Sequence, residues 1–279
     1  MYASVAPRLV APGLVAVASG ASKASAVAAL FVNEIDRDLR GVVIPRPEVH
    51  LVVRLGPTAE DGLDVHALGG LRAVRRKILR SGQRIAMARL QLGAAEAVLG
   101  VPDAALAGRI VALADLWGGP KTRQLLDRLA GAPDTLEAAA ILERAIAESA
   151  ITERSITGRP GRSAAAGRHR TQTELVLDAV DQLANAKVNA VASGLGVSER
   201  HLRRAFRETI GVSPKTFAKI TRFRRAVRAA REEDHASWAT IAAAVGYYDQ
   251  AHLITEFRAI AGVTPRAFLG ELRAAQAIV

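Results

Sequence analysis

Four arginines, Arg200, Arg203, Arg204 and Arg207, stand at i, i+3, i+4 and i+7. On a helix that spacing puts them on one face. Leu202, Ala205, Phe206 and Thr209 fall on the other side, where they can pack. A helix that enters a DNA groove needs this division, a cationic front held by an apolar back. The guanidinium is a planar fork that donates in pairs to guanine O6 and N7, and it also bridges phosphates. The plainer alternative is a solvated charged face, in which acids normally alternate with bases. Between Arg200 and Arg231 there are eleven Lys or Arg and a single acid, Glu208, so this segment alone carries +10 of a net +11.

The stretch around these arginines occurs twice. His201 to Phe217 reads HLRRAFRETIGVSPKTF, and His252 to Phe268 reads HLITEFRAIAGVTPRAF. They share the skeleton H-L-x-x-x-F-R-x-x-x-G-V-[S/T]-P-[K/R]-x-F at an offset of 51 residues. Ala192 and Gly196 match Ala242 and Gly246 at an offset of 50. A duplicated unit follows. Each copy is expected to be a short helix, a turn at Gly196 or Gly246, and a second helix capped by Ser198 or Asp249. That is the helix-turn-helix pattern. Between the copies, Ser213 and Pro214 open a helix to about Arg231. At ~1.5 Å per residue it spans roughly 27 Å, near the ~34 Å between successive major-groove faces.

Shifted by 51, the arginine row becomes Ala251, Ile254, Thr255 and Arg258. The second front is nearly neutral. It offers Gln250 for hydrogen bonds, methyl groups for thymine, and Arg258 for a phosphate. Lys219, Arg222, Arg224, Arg225 and Arg228 of the joining helix are expected to steer phosphates generally, with Arg222 equally able to be structural. His201 and His252 occupy matched positions beside core leucines, which points to packing or phosphate contact.

The rest of the chain must carry this reader. Its 279 residues allow two domains, half of them apolar. Residues 1–118 read as an α+β sensor or effector-like domain. Strands are expected at Val49–Leu55, Val65–Leu68 and Ile85–Leu92, with a short helix from Ala94 to Leu99. Helices over Lys121–Ala130 and from the cap Asp134 to about Ser149 form a hairpin, 119–150, that either packs on this domain or forms a dimer seam. Residues 151–170, rich in Arg, Gly, Ser and Pro, read as a basic flexible linker, and 171–279 as the all-α DNA-binding domain. Arg72–Arg89 holds seven basic residues and no acid, either a basic rim or a lure for an anionic effector. The stretch Leu9–Ala18 resembles a poor signal peptide, interrupted by Pro12 and Gly13.

At these residues the sequence resembles the AraC/XylS family of bacterial transcription regulators, over roughly Thr171 to Arg273. The likeness rests on the duplicated frame, on Ala192-Ser193-Gly194-Leu195-Gly196-Val197-Ser198, and on Gly246-Tyr247-Tyr248-Asp249-Gln250-Ala251-His252-Leu253 followed by Gly262-Val263-Thr264-Pro265. It implies two helix-turn-helix units joined by a long helix, with Arg200, Arg203 and Arg204 reading bases in the first and Gln250, Ala251 and Thr255 in the second. Members often carry Arg where this chain has Thr255. The resemblance also implies promoter DNA as partner, RNA polymerase if the protein activates, and a sensor domain in front that leaves room for a small-molecule effector and a homodimer.

Several classes are excluded or disfavoured. The chain has no cysteine, so disulfides, thiolate metal sites and the cysteine-dependent alkylation repair fused to some AraC-type readers are ruled out. No cofactor, metal or catalytic centre is expected. His50 and His66 each stand alone on a presumed strand. No run of 18 apolar residues exists to span a membrane, and a cytoplasmic location fits a DNA reader.

Overall fold

The computed structural model describes residues 9–11, 14–17, 25–157, 163–184, 186–232 and 237–278. In chain order the N-terminal half contains β1 (Leu9–Ala11), β2 (Leu14–Val17), β3 (Val27–Glu34), β4 (Leu39–Val43), β5 (His50–Leu55), β6 (Leu63–Leu68), β7 (Arg75–Leu79) and β8 (Arg84–Leu90). The helices α1 (Ala95–Leu99) and α2 (Asp103–Leu106), the strand β9 (Ile110–Ala112), and α3 (Leu113–Trp117), α4 (Gly119–Ala130) and α5 (Thr135–Thr157) follow. Seven strands form an antiparallel sheet in the order β1-β2-β3-β8-β5-β6-β9.

Residue alternation gives this sheet two different faces. Leu51 and Val53 of β5, Leu30 and Val32 of β3, and Ala86 and Ala88 of β8 meet Leu125 and Leu129 of α4 and Leu142 and Ile146 of α5. The intervening positions, Phe31, Val52, Ile85 and Met87, point the other way, toward Leu79 of β7 with Leu39 and Val43 of β4. Because both faces are covered, the stretch VHLVVRL shows little polar alternation. The strands expected at Val49–Leu55 and Val65–Leu68 are present as the antiparallel hairpin of β5 and β6. Its turn packs so closely that a Cβ on Gly56 would sit 2.4 Å from the Gly82 carbonyl oxygen.

The differences from the sequence expectation have physical causes. β3, β4 and β7 were not expected. β3 is nearly continuous apolar sequence, and β7 (RRKIL) has the composition of a solvated charge run. Within the signal-like stretch, Leu9–Ala11 and Leu14–Val17 form β1 and β2, which extend the sheet through β3. α5 reaches Thr157 and α6 (Ser163–Leu183) starts soon after, so helix enters the 151–170 segment from both sides. Its alanines and arginines are strong helix formers, which the composition argument for a flexible linker underweights. Residues 158–162 lie outside the described residues.

The C-terminal helices follow the duplicated frame: α7 (Val188–Gly194), α8 (Glu199–Ile210), α9 (Pro214–Glu232), α10 (Trp238–Val245), α11 (Gln250–Ala261) and α12 (Pro265–Ala274), then the strand β10 (Gln276–Ile278). The expected caps are formed. Ser198 accepts from the His201 N–H at 3.1 Å, Ser213 from Thr216 at 3.1 Å and Asp249 from His252 at 2.7 Å. Gly196 and Gly246 are left-handed at φ +68° and +86°, which lets each inner turn reverse.

The two halves are stitched together. β10 lies parallel to β4, completing a three-stranded sheet, β10-β4-β7. The Val74 N–H donates to the Ile260 carbonyl at the end of α11, and Arg72 to the Gly211 carbonyl at the end of α8. Arg76 pairs with Glu271 of α12 at 2.8 Å. Two residues of the basic run Arg72–Arg89, Arg72 and Arg76, are therefore docking contacts with the C-terminal half.

Candidate nucleic-acid interface

α8 is held from behind. Leu202, Ala205, Phe206 and Ile210 are buried with Val176 and Ala179 of α6, Val191 of α7 and Phe217 of α9. The Phe206 and Phe217 rings meet edge to face at 5.9 Å. Burying such side chains contributes about 1.5–3 kcal/mol each, so the helix is a rigid platform. Arg200, Arg203, Arg204 and Arg207 are all exposed on its opposite face. Arg203 forms an i,i+4 ion pair with Glu199, an acid just outside the arginine row. An exposed pair of this kind stabilises the helix by only about 0.3–0.5 kcal/mol, so a phosphate or base can displace it.

α11 has the same back and a different front. Leu253, Phe257 and Ile260 are buried with Phe223 of α9, Ile241 and Val245 of α10, and Phe268 of α12. Gln250, Ala251, Thr255 and Arg258 are exposed. The Thr255 hydroxyl donates to the Ala251 carbonyl of its own helix at 2.9 Å, leaving an acceptor and a methyl group to face outward. Ile254, the counterpart of Arg203, packs partly against the second core and is not part of the front.

Residues 191–271 match the helix-turn-helix domain family. No curated protein matches the chain. Among solved structures, an AraC-type transcriptional regulator from Chromobacterium violaceum is 24% identical, with a TM-score of 0.33, over 37% of this chain and 96% of that one. A DNA-binding transcriptional dual regulator from Escherichia coli K-12 is 22% identical at a TM-score of 0.31, over 37% and 91%. ToxT from Vibrio cholerae O395, in a structure with a bound naphthalenyl-butenoic acid, is 9% identical at a TM-score of 0.43, over 87% and 97%.

Within the helix-turn-helix domain, most cations of α9 are committed to the protein itself. Arg222 donates to both Glu256 oxygens at 3.1 and 3.2 Å and lies over the Tyr247 ring. Lys219 is 3.5 Å and His252 3.4 Å from the same carboxylate. Arg225 donates to the Ala184 carbonyl at 2.9 Å, and Arg224 pairs with Glu48 of the N-terminal half at 3.7 Å. General phosphate steering is thus corrected to structural bracing for these four; Arg228 is exposed. The matched histidines also diverge, because position 205 of the first unit is Ala where position 256 of the second is Glu.

The N-terminal half contains a cavity of about 370 Å³ between its two sheets. His50 and His66, each alone in the sequence, both line it. Burial lowers His50 to about 3, keeping it neutral. His66 is also lowered, by desolvation first and then by the Arg54 charge. Among the described residues no group of three or more His, Asp or Glu is placed to hold a metal ion. Sequence reasoning missed this cavity. The available signal was the i, i+2 row Arg46, Glu48, His50, Val52 and Arg54, which puts all five on one face of an extended chain, and all five line the cavity.

Proposed function

We propose that this protein regulates transcription by reading a promoter sequence chiefly through α8, with α11 making a weaker, A·T-leaning contact in the adjacent major-groove segment. One observation carries the reading. Four exposed arginines share the front of a helix whose back is locked into a core. Arg200, Arg203 and Arg204 read base edges, and Arg207 takes phosphate. Gln250, Ala251 and Thr255 supply hydrogen bonding and methyl contact, and Arg258 takes phosphate. α9, 19 residues long, sets the spacing between the two fronts.

The same reading divides the chain into a sensor at 1–118, a helical hairpin at 119–150, a connection at 151–170 and the DNA reader at 171–279. The hairpin's packing on the sheet supports a scaffold role for it. The N-terminal cavity is the place for a small-molecule effector. RNA polymerase is a partner if regulation is positive, and no catalysis is assigned. Selection of bound duplexes from a random pool, followed by footprinting, tests the proposal. A defined site of two adjacent major-groove segments is expected. Equal retention of all duplexes, with no enriched motif, would overturn it.

A further inference from the structure

The two helix-turn-helix units have separate cores. Leu202, Phe206 and Phe217 belong to the first, and Phe223, Leu253 and Phe257 to the second. α9 passes from one core to the other, giving Phe217 to the first and Phe223 to the second. Helices curve along their length, so one shared helix leaves the angle between α8 and α11 adjustable. Reading two adjacent groove segments requires that angle to be set.

A second connection runs through the N-terminal half, and it grips both units at the same place. α8 closes at Gly211 and α11 at Gly262, matched positions of the duplicated frame. The last carbonyls of a helix have no partner within it, and they form the negative end of its dipole. Arg72 donates to the Gly211 carbonyl. Farther along the same segment, the Val74 N–H donates to the Ile260 carbonyl at 2.9 Å and Arg76 to the Ala261 carbonyl at 2.8 Å. One short segment, Arg72 to Arg76, supplies donors to the ends of both recognition helices. A chain spans at most about 3.6 Å per residue, so the two arginine Cα atoms lie within about 14 Å of each other. The helix ends they hold cannot part while both contacts stand.

Each end is also seated against the N-terminal half. A Cβ on Gly211 would lie 2.7 Å from the Ala107 Cβ and 3.1 Å from the Ala104 Cα, so α8 closes directly on α2. α2 is itself fixed, because the buried Asp103 accepts from the Gly93 and Ala95 N–H groups at 3.0 and 3.1 Å. The Gly108 N–H donates to the Gly70 carbonyl at 2.9 Å, which ties the exit of α2 to the start of the gripping segment. On the other unit, Arg76 also reaches Glu271 of α12 at 2.9 Å. Val42 of β4, the strand paired with β7, packs into the second core with Phe223 and Phe268. Both seats belong to one framework.

We propose that Arg72 and Arg76 are positioning residues for DNA reading: the segment they bound clamps the closing turns of α8 and α11 to one framework, and the full chain accepts its two major-groove segments at one separation only. The clamp stands on these contacts alone; its consequence for DNA rests on the regulator reading above.

The clamp is tested without DNA. The chain has no cysteine, so Ser193→Cys on α7 and Ala243→Cys on α10, exposed positions outside both recognition helices, take one nitroxide label each. Pulsed dipolar spectroscopy on the labelled full chain gives one narrow distance distribution. Adding Arg72→Ala and Arg76→Ala together broadens it or shifts its centre. A distribution unchanged by the double substitution, or one already broad without it, overturns the clamp.

The DNA consequence is read by fluorescence anisotropy on the duplex recovered by selection and on one with two base pairs inserted between its segments. The insertion moves the segments about 7 Å along the duplex and about 70° around it. It weakens binding by the parent chain about tenfold or more, the size of one lost base contact, and by the double variant about threefold or less. A general loss of stability would weaken both duplexes alike and leave that ratio unmoved. A parent indifferent to the insertion, or a double variant with the parent's ratio, overturns the role in DNA reading. A chain that passes the dipolar test but selects no duplex would remove the regulator reading and leave the clamp standing.

Discussion

The two helix-turn-helix units share a frame and differ in what they show to solvent. Both recognition helices bury Leu and Phe at matched positions, Leu202 and Phe206 in one, Leu253 and Phe257 in the other. Both start at a side-chain cap and end at a left-handed glycine, Gly211 or Gly262. Yet α8 presents four arginines, while α11 presents Gln250, Ala251, Thr255 and one arginine. The second unit has instead acquired a buried acid, Glu256, that binds Lys219 and Arg222 of the joining helix. It is also the unit on which β7 and β10 dock. The comparison teaches that the back of each helix maintains the fold, and that the front is free to be spent on DNA or released for attachment elsewhere.

The largest expected effect tests the structural side of that difference. Glu256 is only 4% exposed and faces three cationic or potentially cationic groups. Removing it strands Arg222 in a half-buried site, and breaking a buried ion pair in this way costs about 3–5 kcal/mol. Denaturant unfolding of Glu256→Ala should show that loss. A loss under about 1 kcal/mol, the level of a surface pair, would mean the second unit is not braced as described.

Next comes DNA affinity. Arg204→Ala or Arg203→Ala should weaken binding to the selected duplex by about 1–3 kcal/mol, the value of a bidentate base contact. The loss should concentrate on particular base pairs when the site is mutated. Arg203→Ala must cost more than Thr255→Ala; the reverse order, read by anisotropy titration, would break the comparison. Smaller again is the change at Arg207, placed as a phosphate contact. Arg207→Ala should reduce the slope of log Kd against log salt by about 0.9, with no change in preferred sequence. The smallest effect is at Thr255, whose hydroxyl is already bonded to its own helix. Thr255→Ala should weaken binding by no more than about 0.5–1 kcal/mol, and its salt slope should match that of the parent protein.

Much of the reader was legible because its determinants are local. The caps Ser198, Ser213 and Asp249, the turn glycines Gly196 and Gly246, and the exposure of the arginine row all stand where spacing places them. In the N-terminal half, β5, β6 and β8 were also readable, since β-branched and aliphatic residues run between clear turn residues. β7 was not. Its Arg75, Arg76 and Lys77 have the composition of a solvated run, and the backbone ladder with β4, with Glu271 as a side-chain partner of Arg76, makes a strand of them. Those partners lie far away in sequence, where no periodicity can reveal them.

The amino-acid order by itself determined the duplicated unit, its capped helices and the cationic face of α8. Each depends on residues within one or two helical turns, where steric and hydrogen-bonding preferences act at short range. The folded molecule decided which of the many cations remain available. It committed Arg222, Arg224 and Arg225 to carboxylate or carbonyl partners, and it brought Lys77 and Arg54 together across a cavity from separate sheets. A charge meets its partner only when the chain has closed on itself, because the interaction depends on distance and burial rather than on position along the sequence.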